Sequence, residues 1–427
     1  MMANHVRLLV LSAALAAGSQ PLLAYAPQEA QNGAPAERAP SPPTTPTESQ
    51  DENPPASAPG SEPQRPTRRA GLLPLAVGAE INLPSRPVGP ALLHDKTLVL
   101  ATTAGELLSL DAATLVTRWK LGMPGEKLFT PCLVAGGVLV ASAAGNLVLV
   151  QPDTGEILKE SPLGSPIVST PSCDPSLLYL ATPDHEVLAY DLQEWKEIWR
   201  TKLQAPLIGL SRVSGLVLAS DDAAGLNALD AANGALRWQF QGRGNIDAPA
   251  VFDEKEDRLY VGDTGGFFYS ISARDGNVRY RWANGGAIAQ PALLEEDRLM
   301  VVSYANTLFC YRTGNGHELW RTNLPGRPAF APVHVRRRLV VLTLNGQVSE
   351  YLPGGQPSPL IYQAPDDILP YPTFLPGGLV LPLRSGKLLL LETREPTPAE
   401  AAQPGAVEPG PGEVPEDTLA PDDLTSY

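Results

Sequence analysis

Cysteine is scarce in this chain: Cys132, Cys173 and Cys310 are the only three, and no two are adjacent. That excludes a small disulfide-built scaffold and a thiolate metal cluster, whose ligands come at close spacing. Histidine is equally thin. His5, His94, His185, His317 and His334 stand apart, with none at metal-ligand spacing from another His or a Cys, and the last four are expected on turns or strand surfaces. No G-x-S-x-G, H-E-x-x-H or phosphate-binding P-loop string occurs. Positive charge is in deficit, with 32 Lys and Arg against 46 Asp and Glu. This argues against a nucleic-acid partner, because a phosphate backbone is held by basic surface. Helical periodicity is missing as well, since apolar residues alternate in short runs broken by Gly, Pro and Asp, the pattern of half-buried strands.

What is present is repetition. GLNALDAANGALRWQF, residues 225–240, reads as two short strands joined by a turn at Asn233-Gly234, where Gly supplies the positive φ such a loop needs. Related stretches begin at Gly105, Gly145, His185, Gly266 and Asn306. A Pro enters the first apolar run of each unit at Pro90, Pro131, Pro171, Pro249, Pro291, Pro332 and Pro372, with Leu210 in that place in the fourth. The steps of 39 to 42 residues give eight units. Each holds four strand-like runs, the second and third joined by tight turns such as Ala104-Gly105, Ala144-Gly145, Asn345-Gly346 and Ser385-Gly386.

Eight such units predict an all-β, eight-bladed β-propeller of four-stranded antiparallel blades, because radial repetition hides most sheet edges. The eighth unit stops near Thr393 without a fourth strand, while an unpaired strand-like stretch, residues 75–83, precedes Pro90. That N-terminal strand is expected to complete the last blade and close the ring, removing an aggregation-prone edge. The propeller then spans residues 75–394 as one monomeric domain whose core is distributed among blades.

The repeat G-x-L-x-A-L-D-x-x-T/N-G-x-x-x-W resembles that of the PQQ-binding-like β-propellers, the group that holds quinoprotein alcohol dehydrogenases and the outer-membrane assembly factor BamB. The resemblance implies a tryptophan-docking role for Trp119, Trp199, Trp238 and Trp320, with Tyr280 in that place in the fifth blade. The glycines of the repeat, Gly155, Gly234, Gly276 and Gly316, are structural in the same way. Blade two has Lys159 instead of Trp, and GGQPSPLIY of blade seven reads as having lost the motif, so these blades should be the least regular. The family's dehydrogenases use an adjacent Cys-Cys pair that this chain cannot form, and they use insertions between blades that it lacks. PQQ is therefore not expected as a cofactor, nor is any metal. A bridge between Cys132 and Cys173 is conceivable in an exported protein, but buried free thiols are the expectation.

At the N-terminus, Arg7, the apolar run Leu8 to Ala17 and the exit Ala24-Tyr25-Ala26 have the plan of a secretory signal peptide over residues 1–26. Once it is cut, no membrane span remains. BamB-type proteins carry a lipid-modified Cys after the signal, whereas here Leu15-Ala16-Ala17-Gly18 leads to Ser19. Residues 27–74, rich in Pro, Ala, Ser, Thr and Glu, are expected to be a disordered tether, and residues 395–427, with eight Asp or Glu and no Lys or Arg, a solvated acidic tail.

Asp111, Asp191 and Asp230 recur before the hairpin loops and are assigned to turn bonding rather than to catalysis. If the first strands line a channel, its most polar groups are Asp247 and Gln290. The densest basic feature is Arg336-Arg337-Arg338, a charged turn that doubles as the candidate partner-docking patch. The reading is an exported, non-catalytic scaffold that binds a protein partner in the periplasm or cell envelope, or outside the cell, and the resemblance to BamB implies a role in outer-membrane protein assembly. The alternative is an enzyme or sensor dependent on a quinone or another small ligand.

Overall fold

The computed structural model describes residues 75–335 and 338–394. The signal, tether and tail assigned above, and Arg336 and Arg337, lie outside the described residues. Among the described residues thirty-two strands form eight four-stranded antiparallel sheets, each blade running first to fourth strand from one edge to the other. Blade one is Leu92–His94, Thr97–Ala101, Glu106–Asp111 and Thr117–Gly122. In blade eight the order is Thr373–Leu375, Gly378–Pro382, Lys387–Thr393 and then Leu75–Asn82, which pairs antiparallel with Lys387–Thr393 from Leu75↔Thr393 to Asn82↔Lys387. The N-terminal strand thus closes the ring, and Ala91 N donates to Thr373 Oγ1 at 2.9 Å across the seam. Among the described residues no helix is long and apolar enough to cross a membrane.

Second strands such as Thr97–Ala101 and Gly137–Ala141 are buried throughout, because both faces of each blade pack on neighbours. The core accordingly lies between blades. Leu98, Leu100, Leu108 and Leu110 of blade one pack with Val380, Leu388 and Leu390 of blade eight, and each fully buried leucine contributes roughly 1.5–3 kcal/mol. First strands of several successive blades touch one another, Leu92–His94 meeting both Cys132–Val134 and Thr373–Leu375, and they form the inner ring. They are only two or three residues long, since the Pro at their start has no N–H for the ladder. Blade four shows the converse. With Leu210 in place of Pro its first strand extends over Leu207–Val213, and Leu210 pairs with Ala219.

An aromatic side chain on each of five fourth strands docks on the next blade's hairpin. The indole N–H of Trp119 donates to Pro152 O at 2.8 Å, Trp199 to Ala231 O at 3.1 Å, Trp238 to Ala273 O at 2.8 Å and Trp320 to Pro353 O at 3.0 Å. Under each ring lies a positive-φ glycine. A Cβ at Gly155 would sit 2.6 Å from Trp119, and one at Gly276 2.8 Å from Trp238, so only glycine fits both the backbone and the ring. Gly234 serves Trp199 and Gly316 serves Tyr280 in the same way. Blade seven has not lost this half of the motif: Gly355, at φ +81°, lies beneath Trp320. Its pairing is nevertheless the most broken, with two register shifts between its third and fourth strands.

The bridge between Cys132 and Cys173 corrects the expectation of free thiols, their Cα atoms lying 6.4 Å apart. The reason is register. Cys132 pairs with Leu139 and Ser172 with Tyr179, equivalent sites of the second strands, so Cys173 stands one residue further along its own strand. Side chains one residue apart point to opposite faces of a sheet, so Cys132 faces blade three while Cys173 faces blade two. Cys310 is a buried thiol, pushed up to about 11 by burial.

Candidate functional site

Two kinds of rim flank the ring. On one, the connections from each fourth strand to the next first strand run inward beside the tight turns; on the other lie the hairpin loops that carry the docking glycines. The hairpin rim is built for structure. Asp111 Oδ1 accepts from Ala113 N and Thr114 N at 3.0 Å each, Asp191 Oδ1 from Gln193 N at 2.7 Å and Glu194 N at 3.0 Å, and Asp230 Oδ1 from Ala232 N at 2.9 Å. Arg118 beside Asp111 holds that carboxyl down at about 2, and the Asp230 carboxyl is lowered by Arg237. A groove of about 600 Å³ opens here between Asp95, Lys96, Arg118 and Asp153, but its charges offset one another.

The other rim holds the candidate site, at blades three to five. The extended first strand of blade four shifts register at Gly209, and a cavity of about 20 Å³ remains between it and its neighbours, lined by Ser169, Thr170, Ser211, Ser220 and Asp247. That is room for a single water, and too little for a tricyclic quinone. The Ser169 hydroxyl is buried without a protein partner. Asp247 is open to solvent although protein surrounds it, and this partial burial raises its carboxyl above the usual range. Beside Ser169, Val168 is 40% exposed. On the connection that carries Asp247, the exposed Arg243 guanidinium lies 4.8 Å above the Phe267 ring, with Arg281 on the same ring at 5.7 Å. The backbone of that connection is anchored by buried Asp263, which accepts from Arg243 N at 2.9 Å and from the Tyr269 hydroxyl at 2.8 Å.

The other sequence candidates lie elsewhere. Gln290 is buried at the next blade, with Oε1 unpartnered, and does not join Asp247. Of the three arginines only Arg338 is described, and it is no free surface cation: its Nη1 lies 3.3 Å from the carboxylate of buried Glu350. His334 is also not on the surface. Its side chain is 7% exposed and pairs with Glu295 of blade six at 3.2 Å, while desolvation lowers its basicity against the opposing pull of that carboxylate. Among the described residues no three His, Cys, Asp or Glu side chains come together as a metal site. Sequence reading missed Val168 and the Arg243–Phe267–Arg281 stack, because the three members of that stack meet across two turns.

Eight four-stranded blades, aromatic-on-glycine joints and a closing N-terminal strand define an eight-bladed β-propeller of PQQ-like repeats. The chain belongs to the family described as outer membrane protein assembly factor BamB, which matches residues 79–173, 144–283 and 280–352. It is similar to the outer membrane protein assembly factor BamB of Moranella endobia (strain PCIT), 20% identical over 240 residues, which are 52% of this chain and 61% of that protein. A shorter match, 26% identical over 104 residues, covers 24% of this chain and 20% of a tetrathionate hydrolase of Acidithiobacillus ferrooxidans. In fold it resembles the crystal structure of BamB from Moraxella catarrhalis, with a TM-score of 0.60 at 14% identity, covering 74% of this chain and 99% of that one.

Proposed function

We propose that this protein is a non-catalytic scaffold of the cell envelope that serves outer-membrane protein assembly by binding a protein partner on the rim of blades three to five. The observation that carries this reading is the make-up of that rim. Accessible Asp247 lines a cavity that holds only one water, exposed Val168 adjoins Ser169 of the same lining, and Arg243, four residues before Asp247 on one connection, stacks on an aromatic ring. Arginine and aromatic side chains dominate the energetics of protein interfaces, whereas small-molecule sites are concave and several hundred Å³ in volume. Among the described residues that line the cavity, Asp247 is the one carboxylate, with no His, Lys or Cys beside it. The family membership supports the setting. On this reading the protein holds no resident quinone and acts as a monomer.

The test is a pair of charge changes, Asp247→Arg and Arg243→Glu, in the full chain. Each should weaken association with the purified outer-membrane assembly machinery at least about tenfold, roughly 1.4 kcal/mol, and leave the melting temperature within a degree or two. Unchanged affinity in both variants would contradict the rim as the site.

A further inference from the structure

The joint between blades two and three departs from the five that dock an aromatic ring on a glycine. Where five blades place an aromatic ring over a glycine, blade two places Lys159, and the glycine of blade three is replaced by Trp195 at φ +53°. Lys159 Nζ lies 4.6 Å from the Trp195 ring, so a cation over an aromatic face substitutes for the buried ring. The substitute is poorly covered: Lys159 is exposed on its fourth strand, Ile157–Pro162, where Trp199 and Trp238 at the same place in blades three and four are buried. The Cys132–Cys173 bridge spans this same joint from the inner ring. No other joint can carry one, because the remaining cysteine, Cys310, lies in a third strand of blade six.

We propose that the bridge is a redox latch that closes the propeller at its weakest joint once the chain has entered an oxidising compartment. In the reduced chain the two thiols face each other across a joint that has no ring docked from its fourth strand. Oxidation forms one S–S bond. The thiols lose two protons and two electrons, taken up by the disulfide of a thiol–disulfide oxidant, which is left as a dithiol. The bridge joins residues 41 apart, one full repeat, so it constrains the unfolded chain as well as the folded joint. Before oxidation the outer strands of blades two and three open more readily than the rest of the ring, and after it they do not. The latch is independent of whether the rim binds a partner.

Hydrogen exchange on the full chain, oxidised against reduced, tests this without any variant. Reduction should speed exchange at least about tenfold in Ile157–Pro162 and Lys196–Lys202, with little change in Leu236–Gln241 or Glu318–Asn323. A uniform change across blades, or none, would overturn the proposal. A second arm installs the missing contact. The double variant Lys159→Trp, Trp195→Gly should make the melting temperature insensitive to reductant, whereas the parent loses several degrees. Cys132→Ser with Cys173→Ser should match the reduced parent. A parent whose melting temperature ignores reductant would refute the latch.

Discussion

The joint between blades four and five and the joint between blades two and three carry the same job with opposite parts. In the first, Trp238 is buried over Gly276 and its N–H is satisfied by Ala273 O. In the second the large residue comes from the other side, as Trp195, and meets a lysine. The seam between blades eight and one repeats the reversal. Ala79, paired with Leu390, stands where other blades have Trp, and Leu115, at φ +55° and 1% exposed, fills the space from the blade-one loop. The difference teaches that a joint needs one bulky side chain in a fixed volume, and that either blade can supply it. The reversed arrangement places a non-glycine residue at positive φ, which costs about 1–3 kcal/mol.

The comparison breaks most severely at the seam. A chain beginning at Val88 loses the fourth strand of blade eight together with Ala79, Ile81 and Leu83 of the seam core. It should fail to give a cooperative monomer, whereas residues 75–394 should melt as one. Equal melting of the two fragments would show that closure by the N-terminal strand is dispensable.

Next in size are the ring deletions. Trp238→Ala removes a buried indole and should destabilise by about 3–5 kcal/mol, while Lys159→Ala removes an exposed cation and should cost about 0.5–1 kcal/mol. Chemical denaturation of the two variants separates the cases, and similar losses would mean that the two joints are equivalent after all.

Smallest is the effect of pH on the hairpin turns. Arg118 lowers the Asp111 carboxyl from about 3.8 to about 2, so Asp111 favours the folded state above that ordinary value, and its contribution is lost as pH falls from near 4 towards 2. Because the group is exposed, Asp111→Asn should alter stability only slightly at neutral pH and flatten the acid limb of the stability curve. An unchanged acid limb would remove the turn carboxylate from the account.

Much of this was legible in the sequence because it is local. A repeat of 39 to 42 residues, tight-turn glycines and Asp before each hairpin loop describe one blade at a time, and the missing last strand was visible as a deficit in the eighth. The unread parts are those that depend on two blades together. Whether Cys132 meets Cys173 turns on a one-residue offset that the Pro landmarks show, but which face each side chain takes depends on the register of two blades. Lys159 reads only as a blade without its Trp, because its partner Trp195 stands in the hairpin loop of the next blade. Asp247 lies two residues before its Pro and Gln290 one, so Asp247 is open to solvent while Gln290 is buried, as is its counterpart Ala248.

The central claim, that the rim of blades three to five is where this protein meets its partner, is tested most directly by site-specific photocrosslinking in intact cells. A photoreactive residue replacing Val168 should capture a component of the outer-membrane assembly machinery, and the same group replacing Asp257 on the hairpin rim should not. Capture from Asp257 and none from Val168 would contradict the account.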